Sequence, residues 1–141
     1  MVDLSPLSTE LIKKGWKLLK DVEPILPGIE GDVEYVPFLH FQDGGFASDD
    51  QVQGRAMVLG ANLGQRDAEW LVEYQEKLPP RPKGVRYILF PGTIWKHRNE
   101  ESLLSPYLYW AGEKWDIYVF WLDVGFSVHF SLVRPKQAIS G

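Results

Sequence analysis

Apolar residues in the first part of the chain recur at helical spacing. Ser5 is a favourable N-cap residue, Pro6 suits the first helical position, and Pro24 is a strong helix terminator. The pattern therefore predicts a first helix from Pro6 to the residues before Pro24, although Gly15 weakens its middle. Its apolar stripe is formed by Leu7, Leu11, Leu18 and Val22, and it is widened by Ile12, Trp16 and Leu19, so that apolar residues recur at helical spacings of three and four.

Two more helices are predicted before residue 79. Residues 32–41 look extended, with Pro37 favouring an edge strand or an irregular segment. A second helix starts at Ser48 or Asp49, and the glycines around residue 62 interrupt it. A third helix covers about 65–78, and the sequence LPPRPKG at 78–84 then indicates a stiff linker.

From residue 85 onwards the pattern is typical of β-structure. Short apolar and aromatic runs alternate with turn residues, starting with strands at 85–90 and 93–96 around a Pro-Gly turn. We therefore predict an α+β fold, with about three N-terminal helices followed by a C-terminal antiparallel meander of four or five strands. The β half is long enough for a small SH3-like barrel. The expected organisation is one domain over 1–141, with a mainly helical half (1–78), a linker (79–84) and a β half (85–137).

Side-chain alternation predicts how the aromatic strands pair. If Gly112 and Glu113 form a two-residue turn, Trp110 faces Trp115 and Tyr107 faces Tyr118. If the connection at 123–126 has an even number of residues, the same alternation continues into a second hairpin. One face then forms the core, with Leu108, Trp110, Trp115, Ile117, Val119, Trp121, Phe126, Val128, Phe130 and Leu132. The opposite face, called the tyrosine face, carries Tyr107, Tyr109, Asp116, Tyr118, Phe120, Leu122, Ser127, His129 and Ser131.

The tyrosine face is the strongest candidate for a functional surface. Residues 107–121 contain seven aromatic side chains, and the centre of this face is too apolar to stay fully exposed. The N-terminal helices could cover it, which is a common α+β arrangement. Alternatively, it binds a partner or a second copy of the chain, since tyrosine and tryptophan provide large contact areas at low entropy cost.

Composition and charge narrow the possible functions. The 141 residues include no cysteine, which excludes disulfides, thiolate metal sites and a cysteine nucleophile. The lack of cysteine is also consistent with a reducing compartment, and we predict a cytoplasmic location. The formal net charge is −4, which argues against phosphate-backbone binding as the main role. The first sixteen residues do not resemble a signal peptide, and the longest apolar stretch, 117–133, contains Asp123 and His129, so we expect no membrane association.

No residue pattern in the chain is specific for catalysis. His129 and Asp116 share the tyrosine face, but two strand rows are roughly 6–7 Å, beyond direct hydrogen bonding. His97 and Arg98 lie in a polar loop that also resembles an ordinary hairpin connection. The histidines are too dispersed for a metal site, and nucleotide-binding and serine-hydrolase motifs are missing, so no cofactor is predicted.

The sequence thus favours a non-enzymatic binding or protein-interaction module. Its surface is the tyrosine face with the adjoining 95–101 loop. We expect its partner to be a protein or a small ligand that stacks on aromatic rings, and self-association into a homo-oligomer is an alternative. One alternative is a small enzyme using His97 or His129 as acid and base. Another is single-stranded nucleic-acid binding by the β half, since the chain from Arg81 onwards carries a formal charge of +3 against −7 for the residues before it. The proposed surface residues are Trp95, His97, Arg98, Tyr107, Tyr109, Asp116, Tyr118 and His129.

Overall fold

A computed structural model describes residues 5–29 and 31–136, and it shows an α+β fold. The prediction about a signal peptide concerned residues 1–16, of which 1–4 lie outside the described residues. Gln137, the last residue of the predicted β half, also lies outside them. The helices are α1 (Pro6–Lys13), α2 (Asp49–Leu59) and α3 (Gln65–Glu73). The strands are β1 (Lys17–Lys20), β2 (Val33–Val36), β3 (Phe46–Ala47), β4 (Tyr87–Leu89), β5 (Ile94–Lys96), β6 (Leu103–Trp110), β7 (Trp115–Trp121), β8 (Phe126–Ser127) and β9 (Phe130–Pro135).

The main sheet is mixed and contains strands from both halves of the sequence. Its order is β1-β5-β6-β4-β9-β2, with β7 on the other side of β6, and β3 and β8 form a separate ribbon. Strand β9 runs parallel to β4 and antiparallel to β2, so the predicted C-terminal meander is too simple. Among the described residues β2 and β7 do not pair with each other. The sheet therefore stays open and does not close into an SH3-like barrel.

A bulge joins β4 to β5 along one side of β6. Leu89 pairs with Tyr107, and Trp95 pairs with Leu104. The chain therefore advances by six residues from Leu89 to Trp95, while the paired positions on β6 are only three residues apart. Within this segment Phe90 still donates its N–H to the carbonyl of Pro106 at 3.0 Å, whereas Gly92 donates its N–H to the carbonyl of Leu63 at 2.8 Å. This bulge ties the loop before α3 to the centre of the sheet.

Helices cover both faces of the sheet. Helices α1 and α3 lie on the face that carries Leu104, Leu108, Trp115 and Val119, as the alternation predicts for the core. Helix α2 packs on the opposite face, and its buried residues Val52 and Ala56 belong to the same apolar cluster as Leu122, Phe126 and Phe130. No helix within the described ranges is long and apolar enough to cross a membrane.

The first helix is much shorter than predicted. It begins at Pro6 as expected, with Ser5 accepting the N–H of Ser8, but it ends at Lys13. Gly15 follows with a φ of +86°, a conformation that suits glycine and stops helices. Residues 17–20 then form strand β1 beside β5, so the later leucines of the predicted stripe are exposed rather than buried.

The second predicted hairpin is also wrong. Strand β9 pairs with β4 and β2 instead of β7, whereas the short β8 pairs with β3. Phe126 and Phe130 consequently pack against Phe120 on the tyrosine face, and Val128 is exposed in a turn. Local alternation could not detect this, because strands from distant parts of the chain displaced the nearest neighbour.

An ion pair fixes the segment that precedes α2. The guanidinium of Arg55 donates to both carboxylate oxygens of Asp43, at 2.6 and 2.9 Å, and to the carbonyl of Phe38 at 3.0 Å. Asp43 also accepts the N–H of His40 at 2.6 Å. The Arg55 hydrogen bond, with help from the His40 N–H, lowers the pKa of Asp43 from 3.8 to about 2.

We expect this pair to make stability depend on pH in a defined window. A carboxylate with a lowered folded-state pKa contributes stability that is complete above 3.8 and disappears as the pH falls towards 2. Asp43→Asn should therefore unfold at lower urea concentration than wild type at pH 7, with the gap narrowing between pH 5 and pH 2.5. Urea titrations of both proteins at several pH values measure this gap. A gap that is the same at pH 7 and pH 2.5 would contradict the role of Asp43.

Candidate functional site

Tyrosines from three adjacent strands meet on one face of the sheet. The ring of Tyr107 lies 5.8 Å from that of Tyr87 and 5.6 Å from that of Tyr109. Strand pairing sets this arrangement, because Tyr87 is opposite Tyr109 and Tyr107 is opposite Tyr118. Asp116 is opposite Tyr109 on β7. We call this group, Tyr87, Tyr107, Tyr109, Asp116 and Tyr118, the tyrosine patch.

The members of the tyrosine patch keep part of their surface accessible. Tyr118 is 36% exposed, and the others are half-buried. Burial, followed by the nearby Asp116 carboxylate, raises the pKa of Tyr109, and burial also raises the pKa of Tyr107. Both phenols thus stay neutral at physiological pH. The tyrosines of the patch offer aromatic surface with neutral hydroxyl tips, and Asp116 adds a carboxylate next to Tyr109.

The cover over the tyrosine face is partial. Phe120 lies beside Tyr107 at 5.3 Å and contacts Phe130 at 5.1 Å, in the cluster that α2 covers. Leu122 is 2% exposed in the same cluster. The sequence alone left open whether helices hide this face. In the structure they hide its apolar end and leave the tyrosine end accessible.

The edge of β7 next to the tyrosine patch is occupied by side chains. The amide of Gln75 donates to the carbonyl of Trp115 at 2.8 Å and accepts its N–H at 2.9 Å. The carboxylate of Asp116 accepts the N–H of Ile117 at 2.9 Å. Lys14 reaches the hydroxyl of Tyr118 at 3.2 Å. These contacts blunt an edge that could otherwise pair with another strand.

The predicted 95–101 loop lies away from the tyrosine patch. Trp95 is 1% exposed and belongs to the core beneath α1, so it is not available to a partner. The ring of His97 lies 5.0 Å from Trp16 and 5.7 Å from Trp121. Arg98 packs its aliphatic stem beside Gly15. Because Trp95 and Trp121 point to the α1 side of the sheet, this loop and the tyrosine patch do not form one surface.

The rings of the two predicted acid–base histidines form hydrogen bonds with backbone groups. The N–H of Asn99 donates to Nδ1 of His97 at 3.2 Å. Nδ1 of His129 lies 2.8 Å from the carbonyl oxygen of Gly84, which accepts a hydrogen bond when this nitrogen is protonated. His129 occupies an exposed turn, and its own carbonyl accepts the N–H groups of Arg86 and Tyr87. In both cases the ring hydrogen bond joins the histidine to the backbone of a loop.

Several basic residues from Arg81 onwards contact aromatic or acidic side chains. Arg81 lies over the ring of Trp110, with its guanidinium carbon 5.1 Å from the ring centroid. Arg134 pairs with Glu34 at 2.8 Å, and Lys96 lies 3.8 Å from Glu101. Contacts with aromatic and acidic partners therefore take up several of the charges on which a nucleic-acid surface would depend.

A buried polar cluster at the start of α3 was not predicted. The side-chain carbonyl of Gln65 accepts the indole N–H of Trp95, and its amide nitrogen donates to Ser8, both at 2.8 Å. Thr93 accepts the backbone N–H of Gln65 at 2.8 Å and donates to Asp21 at 2.7 Å. The polar groups come from four distant segments, so no local motif indicates them. Since the buried groups are paired with one another, the cluster fixes the packing of α1 and α3.

Comparisons with known proteins do not identify this chain. No family model matches it, and no curated protein and no solved structure is significantly similar. Within the described residues, no three His, Asp or Glu side chains converge as metal ligands. The functional argument therefore depends on the geometry of the tyrosine patch and of the remaining surface.

Proposed function

We propose that this protein is a non-enzymatic interaction module that binds a partner protein through the tyrosine patch. The observation that carries this proposal is the contact of three half-buried tyrosine rings on the two adjacent strands β4 and β6, while both α1 and α3 occupy the other side of the sheet. Tyrosine is enriched among residues that dominate binding energy at protein interfaces. The rigid strands hold the rings in place, which reduces the entropy lost on binding.

The packing of the rings favours a protein over a small planar ligand. Neighbouring rings are tilted by 37° to 43° and lie less than 6 Å apart. Rings in direct contact leave no parallel slot into which a base or a sugar could insert. A broad protein surface can instead cover all the rings together, and Asp116 and the tyrosine hydroxyls would supply hydrogen bonds at its margin.

Removing two rings from the patch should abolish partner binding without unfolding the protein. We expect Tyr109→Ala with Tyr118→Ala to weaken binding by at least about a hundredfold, since each interface tyrosine can contribute about 2 kcal/mol. The measurement is a pull-down from lysate of the source organism, eluted into native mass spectrometry, with wild type in parallel. Circular dichroism and urea titration show whether the variant remains folded.

Tyr74→Ala provides a matched control. Tyr74 is 39% exposed, follows α3 and contacts Trp70, so it lies outside the patch. The proposal requires that this variant retains the partner that the double variant loses. A double variant that binds as well as wild type, or one that unfolds, would refute the assignment and identify the two tyrosines as structural.

A further inference from the structure

A groove of about 720 Å³ lies at the end of the sheet opposite the tyrosine patch. Its walls come from residues 46–50, 101–103 and 122–125, that is, from β3, the start of α2, the start of β6 and the turn before β8. The tyrosine patch uses the end of β6 and the start of β7, whereas the groove uses the start of β6 and the residues after β7. The two surfaces are therefore distinct.

The groove combines an apolar floor with exposed apolar side chains at its rim. Leu122 is buried and Leu103 is half-buried, whereas Phe46 and Val124 are 62% and 58% exposed. The ribbon of β3 and β8 holds Phe46 in register with Ser127. Large exposed apolar side chains beside a concave surface are typical of interaction sites.

The charged residues that line the groove are all acidic. They are Asp49, Asp50, Glu101 and Asp123, and the described lining includes no lysine or arginine. Two lysines lie close to these carboxylates. The charge of Lys20 lowers the pKa of Asp49, and Nζ of Lys96 lies 3.8 Å from the carboxylate of Glu101. Asp49 and Asp50 occupy the first turn of α2, where they also stabilise the helix. Asp123 and Glu101 lie outside that helix, so helix stabilisation does not account for them.

We propose that this groove binds an extended segment of a partner protein in which basic side chains flank apolar ones. The apolar side chains would cover Phe46 and Val124, and the basic ones would face the carboxylates of the lining. A small cation would leave Phe46 and Val124 exposed to water, whereas a peptide segment covers them. Burial raises the pKa of Asp49, although Lys20 acts in the opposite direction. This proposal does not depend on the partner of the tyrosine patch.

Fluorescence anisotropy with defined peptides tests the proposal. The probe is a labelled nonamer that alternates lysine with leucine, compared with a lysine–serine nonamer of equal charge, a glutamate–leucine nonamer and the small cation spermine. We expect saturable binding of the lysine–leucine peptide, weaker at higher salt, and at least about tenfold weaker binding of the others. Equal binding of the lysine–serine peptide would overturn the proposal, because simple charge attraction would then account for the result.

Variants locate the binding to the groove. Phe46→Ser should weaken binding about tenfold and Asp123→Asn about two- to fivefold, and both replace exposed side chains without disturbing the core. Val58→Ser, at an 87% exposed position of α2 outside the groove, should bind like wild type. The Tyr109/Tyr118 double variant should also bind the peptide normally, which separates this site from the patch.

Two further results would overturn the assignment. One is unchanged peptide affinity in Phe46→Ser, which would place the peptide elsewhere. The other is concentration-dependent self-association in sedimentation, disrupted by Phe46→Ser, together with no peptide binding. That result would make a second copy of the chain the occupant of the groove.

Discussion

Gly92→Ala is expected to lower the free energy of unfolding by about 3 kcal/mol, because the bulge between β4 and β5 has no room for a methyl group. A Cβ at this position would lie 2.6 Å from a methyl of Val22, 2.8 Å from the carbonyl oxygen of Asn62 and 2.9 Å from the carbonyl carbon of Leu63. Backbone atoms cannot move aside independently. Urea denaturation at pH 7 measures the loss against wild type.

Gly54→Ala is the matched control for this prediction. Gly54 lies in the middle of α2 with nothing within 4 Å of an added Cβ. Alanine there should stabilise the protein by about 0.5–1 kcal/mol, since glycine is the poorer helix former. Opposite signs for the two substitutions would show that close packing, rather than glycine content, decides the effect. A Gly92→Ala protein as stable as wild type would contradict the packing of the 61–64 loop against the bulge.

Gln65→Leu is expected to cost about 3 kcal/mol although leucine is apolar and of similar size. Gln65 is 3% exposed, and its amide satisfies both the indole N–H of Trp95 and the hydroxyl of Ser8. Leucine would leave the buried indole N–H without an acceptor, which costs about 1–3 kcal/mol, and would break the link between α1 and α3. Thermal or urea unfolding measures the change.

A double-mutant cycle separates the unpaired indole from other effects of Gln65→Leu. Trp95→Phe removes the indole N–H, so Gln65→Leu should cost less in that background than in wild type. Gln75→Leu is a further comparison. Gln75 also bonds to a tryptophan, through the backbone of Trp115, but it is half-buried, so water can replace part of the interaction. If Gln65→Leu and Gln75→Leu cost the same, burial of the Gln65 cluster is not the source of its stability.

These two positions also control the geometry of the candidate surface. The bulge at Gly92 lets β4 and β5 both lie along β6, and this pairing puts Tyr87 beside Tyr107 and Tyr109. Gln65 fixes α1 and α3 to the other side of the sheet through Trp95 and Ser8. The tyrosine patch remains uncovered by those helices because the buried contacts hold them on the opposite face.

Part of the fold was predictable from local pattern. The β6–β7 hairpin has the predicted register, with Trp110 opposite Trp115 and Tyr107 opposite Tyr118, because a short turn and strict alternation allow few other pairings. Helix α2 begins after Ser48, whose side chain and backbone form a capping box with Gln51. Both features depend on interactions between residues close in sequence.

The errors came from contacts between distant segments. Residues 17–20 continue a helical apolar spacing, yet they pair with β5 once Gly15 has ended α1. The apolar pattern of β9 fits β7, β4 or β2 equally well, and only packing of the whole sheet selects the last two. The groove and the Gln65 cluster also join segments that no local spacing connects.

The sequence by itself determined the α+β class, the aromatic hairpin with its register, and the alternation that separates the tyrosines from the core side. Only the tertiary structure decided that β9 runs parallel to β4, that α2 hides Phe120 while Tyr107, Tyr109 and Tyr118 stay accessible, and that four carboxylates line a groove at the far end. The physical reason is the sequence separation of the interacting residues. Turns, caps and side-chain alternation depend on residues close in sequence, whereas the pairing of strands and the covering of a sheet face depend on burying the apolar surface of the whole chain.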